Sequence, residues 1–500
     1  MELLQGFLAI SVPSTLFLIL IGVIVGLIFG AIPGLSAFTA LALMLPLTFT
    51  MTPINGLSFL IAVYVGGVTG GLISAILLGI PGTPSSIATV FDGYPMAKRG
   101  EAGKALGVGI TYSFIGGFAS VIALILFGPA IAKVAIKFSP YEYVAVILFA
   151  LTTVSSLASG NLVKGLIGTL LGVSLAFVGV DRLTAYTRFT FGNGDLDAGF
   201  SLVPLLIGIF AVSQILEVAE AKKVKLSLDK IQNFKIKGLG FSFKEFKGQG
   251  KNAFVSGFIG LVIGILPGIG GNVSNLLSYA AVKKRSKYPE KFGTGIIDGI
   301  VASETSNNAS IGGAMLILMT LGIPGDNATA MVLAGFLNHG IAPGPLLFQS
   351  NADLVYMIFA ALLLANVVMF ITTYGGLKFF VKVLSVPKSI LLPIVIVFCF
   401  IGSYSANSRI FDIILMVVFG FLGYVLNKFK FPTAPLVVGF ILAPMLEEQL
   451  RRSMMRTSGS MIPILTSPIA LTFLIATVVM IIFSFISEKK EANKALFEDS

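Results

Sequence analysis

The sequence predicts an all-α membrane protein that crosses the bilayer many times. Of its 500 residues, 56% are hydrophobic and only 11% are charged, whereas soluble domains carry roughly a quarter charged residues. No charged residue occurs between Leu3 and Phe91. Because a spanning helix needs about 20 apolar residues, the apolar segments predict about 10–12 transmembrane helices. A transmembrane β-barrel would instead show alternating strands of about ten residues, and the sequence has no such pattern.

A second observation is a helix-breaking phrase that occurs twice. The stretch "GLIFGAIPGL" at 26–35 returns as "GLVIGILPGI" at 260–269, and "LGIPGTPSS" at 78–86 returns as "LGIPGDNAT" at 321–329. Two blocks repeated in the same order indicate an internal duplication. The predicted parts are a first repeat half at 1–220, a linker at 221–250, a second repeat half at 251–487 and a tail at 488–500.

The basic residues predict that the two halves face opposite ways. The link at 49–56 has no Lys or Arg, but its counterpart at 283–291 is strongly basic; conversely, 92–104 is basic and 338–345 is not. Because short cytoplasmic loops collect Lys and Arg, corresponding links lie on opposite sides, and the halves form an inverted-topology repeat. The same rule predicts cytoplasmic segments at 221–250 and 488–500 and an external one at 186–199. It also explains the net charge of +11 without a nucleic-acid partner.

The repeated phrases predict Pro-Gly-broken, re-entrant helices. Pro removes a backbone donor, and Gly adopts φ values that other residues resist. Such a break is tolerated at membrane depth only where protein or a wet cavity surrounds it. Secondary transporters combine inverted repeats with broken helices whose N-termini bind anions near the midplane. The alternative is that Pro-Gly only ends or kinks these helices.

Polar residues follow every break, and together with the break residues they form the candidate substrate- and ion-binding set. Hydroxyl, amide and carbonyl groups suit a carboxylate on one side and a hard cation such as Na⁺ on the other. The alternative for the serines and glycines is close helix packing. The candidates are Pro33, Gly34, Ser36, Gly82, Thr83, Ser85, Ser86, Gly268, Gly270, Gly271, Asn272, Ser274, Asn275, Glu304, Ser306, Asn307, Asn308, Gly325, Asp326 and Asn327.

Two carboxylates stand out in this set. Glu304 lies in the polar run "VASETSNNASIGG" at 301–313, and Asp326 follows the last Pro-Gly. Because ionisable residues at membrane depth are expensive, each is a candidate site for a coupling cation or proton; the alternative for Glu304 is an aqueous boundary. Asp92 is predicted to be structural. A single Cys399 and a single His339 predict no metal centre and no cofactor.

Four stretches carry a family resemblance: "GLIFGAIPGLSAFTALALMLPLTF", "LGIPGTPSSIATVFDGYPMAKRGEAGKALG", "GLVIGILPGIGG" and "LGIPGDNATAMVLAG". With them the chain resembles the TctA-type large membrane subunit of the tripartite tricarboxylate transporter family. The resemblance implies a non-enzymatic secondary transporter in the plasma (inner) membrane that imports di- or tricarboxylates by Na⁺ or H⁺ symport with alternating access. It also implies two partners, a small four-helix membrane subunit and an extracytoplasmic solute-binding protein.

Other functional classes fit the sequence less well. An ATP-driven permease with its own ATPase would carry a phosphate-binding G-x-x-x-x-G-K-[ST] motif, and "GEAGKAL" has neither its spacing nor its Ser/Thr. A permease driven by a separate ATPase subunit remains an alternative, which dependence of uptake on ATP or on an ion gradient would decide. An intramembrane aspartyl protease needs two carboxylates that share a proton, and Asp326 has no evident partner. A channel and a stand-alone carrier for another small organic anion remain as alternatives.

Overall fold

The computed structural model describes residues 2–157, 161–181, 183–220, 238–384 and 386–498. Within these ranges ten helices are long and apolar enough to cross a membrane. This confirms the prediction of an all-α, multi-pass membrane protein. The predicted linker falls partly outside the described ranges, since 221–237 are not among them, and the domain boundaries stay a prediction.

The first half contains ten α-helices in the described residues. Short 3₁₀ turns follow α3 and precede α5, and a π-helical turn at Ile207–Val212 joins α9 to α10. The helices are α1 Glu2–Ile10, α2 Pro13–Ala31, α3 Ala37–Met44, α4 Pro53–Leu78, α5 Ile87–Lys98, α6 Ala102–Ala135, α7 Pro140–Leu157, α8 Leu162–Ala176, α9 Leu202–Leu206 and α10 Ser213–Glu220. A short β-hairpin follows α8, in which the two-residue strand β1 (Gly179–Val180) pairs antiparallel with the two-residue strand β2 (Thr187–Arg188).

The remaining helices belong to the second half and its flanks. They are α11 Phe243–Gly248, α12 Gly250–Ile265, α13 Gly270–Arg285, α14 Ile297–Leu321, α15 Asn327–Asn338, α16 Leu347–Ser350, α17 Ala352–Val383, α18 Lys388–Asn407, α19 Ile410–Lys428, α20 Thr433–Arg456, α21 Ile462–Thr466 and α22 Pro468–Glu498. Two of them reach into predicted non-membrane segments, α11 into the linker and α22 into the tail.

Both repeated phrases interrupt helices in the same way. Break 1 (32–36) separates α2 from α3 and break 3 (266–269) separates α12 from α13, while break 2 (79–86) and break 4 (322–326) follow α4 and α14. Gly79 and Gly322 have φ values of +69° and +74°. Only glycine adopts this left-handed conformation readily, so it ends each helix with a sharp turn.

Breaks 2 and 4 return into the helix bundle as re-entrant loops. After α4 ends, the chain turns back, and the Gly82 amide donates to the Gly71 carbonyl at 3.4 Å. Gly71 lies in α4, about 12 Å along the helix axis from Gly79. In the second half, Gly325 lies against Ala314 in the same way. The predicted re-entrant geometry is therefore present in both halves.

Glycines let each re-entrant loop approach the preceding broken helix. A Cβ atom at Gly82 would overlap the Gly30 carbonyl oxygen of α2, and one at Gly325 would approach the Gly264 carbonyl oxygen of α12 to 2.6 Å. Any side chain at these positions would force the backbones apart. Because the glycine pairs occupy corresponding positions of the repeat, the two halves pack by the same rule.

Helix α4 runs between two distinct ends of the bundle. Near its start, Gly56 lies against His339, which follows α15. At its end, Gly79 lies against the ring of Tyr94 in α5. Thus α4 runs from the end of the bundle where α15 finishes to the end where α5 finishes.

Helix α14 runs the other way. Near its start, Gly299 lies against Asp92 of α5. At its end, a Cβ atom on Gly322 would lie 2.8 Å from the carbonyl oxygen of Pro343, which belongs to the loop after α15. The corresponding helices α4 and α14 are therefore antiparallel. The links at 49–56 and 338–345 share one end of the bundle, and those at 92–104 and 283–296 share the other.

The Asp92 carboxylate fastens the second half to the first. It is fully buried and accepts from the Tyr279 hydroxyl at 2.8 Å and from three backbone amides, those of Gly293, Gly295 and Ile296, at 2.8–3.0 Å. These amides lie in the loop that begins α14. This contact agrees with the predicted structural role of Asp92.

Candidate functional site

The polar run of α14 lies inside the bundle. Side chains from Ser303 to Asn308 are all buried, and Glu304 has no exposed surface. Helices α4, α5, α6, α12 and α13 pack around α14. Buried polar groups need hydrogen-bond partners. We therefore expect polar groups of the surrounding helices to lie next to these side chains.

Glu304 is held by side chains from three helices. Its carboxylate accepts from the Thr89 hydroxyl at 2.5 Å, the Ser113 hydroxyl at 2.8 Å and the Asn307 amide at 3.3 Å. The Thr89 hydroxyl also lies 2.5 Å from that of Ser303. Thr89 belongs to α5 and Ser113 to α6, so the carboxylate joins the two halves of the chain.

The two asparagines after Glu304 bind the first half. The Asn307 amide donates to the Ser85 carbonyl of break 2 at 3.0 Å. The Asn308 side-chain oxygen accepts from the Thr69 hydroxyl of α4 at 2.8 Å. These two contacts place break 2 and the middle of α4 directly against the polar run.

The start of α13, which follows break 3, lies against break 2, whereas Gly268 of break 3 itself lies against Val154 of α7. A Cβ atom on Gly271 would stand 3.0 Å from the Ser85 side chain. The Asn275 amide donates to the Gly271 carbonyl at 2.6 Å, and its oxygen accepts from the Ala88 amide at 3.3 Å. Ser274 and Ser306 exchange hydrogen bonds from hydroxyl to carbonyl at 3.4 and 2.9 Å.

Break 4 reaches the same region from the opposite end. Asp326 caps α15 by accepting from the Thr329 amide at 2.7 Å, and its other oxygen accepts from the Tyr64 hydroxyl of α4 at 2.5 Å. A Cβ on Gly270 would lie 2.6 Å from the Asp326 side chain. Break 2, the start of α13 and break 4 therefore meet around α14, and we call their contact region the polar centre.

Break 1 is tied to α3 and α10. Gly34 adopts a φ of +90°, and the Ser36 hydroxyl caps α3 by accepting from the Thr39 amide at 3.3 Å. Ser36 also donates to Gln214 of α10 at 3.3 Å. The predicted binding role of Ser36 is thus set apart from the others, because its side chain is committed to α10.

Helix N-termini at the breaks differ in how they are capped. Ser36 caps α3 and Asp326 caps α15 through side-chain oxygens, whereas α13 begins without a side-chain cap. Close by, the buried Asn327 side-chain oxygen has no partner within the described part of the chain. The first backbone N–H groups of α13 therefore have no side-chain cap, and such groups carry partial positive charge.

A cavity of about 790 Å³ opens beside break 4 at the end of the bundle where α15 finishes. Gly322, Leu333 and Asn338 line it from the second half, and Asp181 and Arg188 line it from the hairpin segment. The predicted external segment 186–199 and the link 338–345, which has no Lys or Arg, both border this cavity, so they lie at one end of the bundle.

An ionic cluster fixes the hairpin at the rim of the cavity. Arg188 holds Glu447 of α20 through two contacts of 2.8 and 3.2 Å, and Arg451 binds Asp181 at 2.8 Å. The Thr184 hydroxyl, the Leu183 amide and Arg451 all donate to the Asp181 carboxylate and hold its pKa well below its usual range. The carboxylate thus remains charged and keeps the hairpin attached to α20.

Sequence reasoning missed several partners of the polar centre. Four side chains that form hydrogen bonds with candidate residues were not among the candidates: Tyr64, Thr69, Thr89 and Ser113. Of these, Thr89 lies near a Pro-Gly motif, three residues after Ser86, and the other three do not. Tyr64 and Thr69 could have been found as the polar members of the otherwise apolar run that precedes Gly70-Gly71.

The fold and the polar centre define a multi-pass membrane protein built from two packed sets of broken helices. The chain belongs to the tripartite tricarboxylate transporter TctA family, whose model matches residues 16–438. This confirms the resemblance carried by the four repeated stretches. The protein is accordingly a membrane component of a transporter.

Two relatives come from Agrobacterium vitis. The chain is 35% identical over 490 residues, 97% of either chain, to a protein described as an uncharacterized 52.8 kDa protein in the TAR-I ttuC' 3' region. It is 36% identical over 241 residues to an uncharacterized protein in the TAR-II ttuC' 3' region, which covers 48% of this chain and all of that relative. No solved structure matches the chain.

Proposed function

We propose that this chain is the permease subunit of a binding-protein-dependent secondary transporter that imports di- or tricarboxylates across the plasma (inner) membrane by Na⁺ or H⁺ symport. Its partners would be a small four-helix membrane subunit and an extracytoplasmic solute-binding protein. Membership of the TctA family supports the transporter class. The observation that carries the finer proposal is the meeting of breaks 2 and 4 with the start of α13 around α14 and its buried polar run.

The start of α13 is the best candidate for the substrate carboxylate. It is a 16-residue helix without a side-chain cap, and it begins between Ser85 of break 2 and Asp326 of break 4. Backbone N–H groups at such an uncapped end favour an anion. Asp326 itself is less suited to contact a carboxylate, because its charge would repel one and both its oxygens already accept hydrogen bonds.

Alternating access is supported by the antiparallel course of α4 and α14. Segments predicted on the same side of the membrane contact each other: Gly56 lies against His339, and Arg99 donates to the Gly295 carbonyl at 2.6 Å. This is the contact pattern that an inverted repeat requires. The 790 Å³ cavity beside break 4 would then open toward the external side.

The test is transport by proteoliposomes that contain all three subunits. Uptake of radiolabelled succinate, malate, tartrate and citrate is measured with Na⁺ or proton gradients imposed in turn. We expect saturable accumulation of at least one carboxylate against its gradient, driven by one cation. Flux that neither saturates nor couples to a cation would favour a channel, and uptake without the binding protein would favour a stand-alone carrier.

Three alanine substitutions test the site itself. Asn272→Ala, Asn308→Ala and Asp326→Ala should each reduce uptake while the protein still inserts and elutes as a single species. Asn193→Ala, in an exposed loop, is the matched control and should transport normally. Full activity in all three site variants would remove these positions from the binding site.

A further inference from the structure

Glu304 is a buried carboxylate to which no cationic side chain of the described residues donates. Its three hydrogen-bond donors, Thr89, Ser113 and Asn307, are all neutral. The ion pairs of the described residues do not include it. A charge taken out of water without a counter-charge is strongly disfavoured, so such a carboxylate either takes up a proton or binds a cation.

Several titratable groups on α14 and on the helices packed against it have partners of their own. Tyr64 pairs with Asp326, Tyr279 with Asp92, Lys104 with Glu245, and Asp298 with Asn252. None of these side chains forms a hydrogen bond or ion pair with Glu304. The proton balance at Glu304 therefore depends on its own burial and its neutral donors.

The spacing of the oxygen atoms favours a proton over a metal cation. A cation that holds oxygens at about 2.3–2.6 Å in an octahedral shell keeps neighbouring ligand oxygens about 3.3–3.7 Å apart. Around Glu304 the hydroxyl oxygen of Thr89 lies 2.5 Å from the carboxylate and 2.5 Å from that of Ser303, and Ser113 lies at 2.8 Å. At these separations the oxygens are joined directly by hydrogen bonds, which is the arrangement a proton site requires.

We propose that Glu304 is the proton-binding residue of the transport cycle, and that the coupling cation is H⁺. This inference rests on the proposed function. When the carboxylate is charged, Thr89 donates to it; when it is protonated, its own O–H donates to Thr89, whose hydroxyl turns toward Ser303. A hydroxyl group can donate and accept, so the Glu304–Thr89–Ser303 chain accommodates either state without movement of a backbone.

The hydrogen bonds that join Glu304, Thr89 and Ser303 also connect the two halves of the protein. Thr89 follows re-entrant break 2, while Ser303 and Glu304 belong to α14. The Asn307 amide, which donates to the carboxylate, also donates to the Ser85 carbonyl of break 2. Protonation of Glu304 thus changes hydrogen bonds at the break that lies against the α13 N-terminus, which gives a physical route by which proton binding and carboxylate binding influence each other.

The experiment compares wild type with Glu304→Gln, which keeps the side-chain shape but remains neutral, and with Glu290→Gln, which makes the same change on an exposed loop. Infrared difference spectra of the purified protein between acidic and alkaline pH report the carbonyl band of a protonated carboxylic acid. We expect a titrating band in wild type and Glu290→Gln that Glu304→Gln lacks. An unchanged band in Glu304→Gln would overturn the proposal.

Transport provides the second readout. In proteoliposomes with all three subunits, an inward proton gradient should drive accumulation of labelled citrate or succinate and acidify the lumen. Glu304→Gln should lose this accumulation yet keep exchange of labelled for unlabelled carboxylate, which shows that it is folded. Accumulation driven only by Na⁺, or retained in Glu304→Gln, would overturn the proton site and leave the proposed function intact. If wild type carries neither carboxylate, the proposed function fails, while the infrared band still decides whether Glu304 binds a proton.

Discussion

Replacement of Asp92 by Ala should destabilise the protein. Asp92 is fully buried and accepts hydrogen bonds from the Tyr279 hydroxyl and three backbone amides of the loop before α14. Alanine would leave those amides without an acceptor. Fully buried donors left unpaired would cost about 1–3 kcal/mol each, or roughly 3–9 kcal/mol for three, but Gly293 is exposed and Gly295 and Ile296 are half-buried, so we expect the lower end, about 3 kcal/mol.

The assay is the free energy of unfolding in mixed SDS–detergent micelles. The unfolding free energy of Asp92→Asn should fall between those of wild type and Asp92→Ala. The amide oxygen of Asn can still accept from the backbone amides, but its NH₂ group takes the place of the oxygen that accepts from the Tyr279 hydroxyl. Asp195→Ala, on an exposed turn, is the matched control and should be neutral. An unfolding free energy of Asp92→Ala within about 1 kcal/mol of wild type would refute the argument that this carboxylate anchors the loop.

Three further outcomes follow from particular contacts. Gly264→Ala should lower the free energy of unfolding by about 1–3 kcal/mol, because the new Cβ would overlap the Ser310 carbonyl. Gly257→Ala is the control and should be tolerated, because its Cβ would meet only a methyl group at 3.7 Å. Equal stabilities of the two variants would contradict this prediction. Donation by Lys104 is the main cause that lowers the pKa of Glu245 to about 2, so the stability this pair contributes is complete above the ordinary Glu pKa of about 4.3 and is lost as the pH falls toward 2. Amide exchange in α11 should show that loss, and a loss already complete near pH 4 would contradict it. Buried Cys399 should resist an aqueous maleimide until the protein unfolds; rapid labelling of native protein would show that its helix is not packed as described.

The sequence predicted much of this architecture because its signals were local. A run of apolar residues is long enough to span a bilayer or it is not, and Pro-Gly breaks a helix through its own backbone. Breaks 2 and 4 are re-entrant as predicted, and the polar run around Glu304 lies at the centre of the bundle. The sidedness of the loops, the inverted orientation and the ligands stay predictions.

The pairing of side chains could not be predicted, because it depends on how distant helices pack. Glu304 is 215 residues from Thr89, and Asp326 is 262 residues from Tyr64. Helix α14 is buried all round, so it has no polar face from which its neighbours could be inferred. The same limit explains Ser36, which was grouped with the other break residues although its side chain bonds to Gln214, 178 residues away.

Accessibility of two loop residues tests most directly the claim that the two halves are mirror-oriented. Thr52 precedes α4 and Lys287 follows α13, and both are exposed; buried Cys399 should not interfere with labelling. A membrane-impermeant maleimide should label Thr52→Cys in intact cells and Lys287→Cys only in inside-out vesicles. Labelling of both residues from the same side would contradict the inverted arrangement and, with it, the shared binding site between the halves.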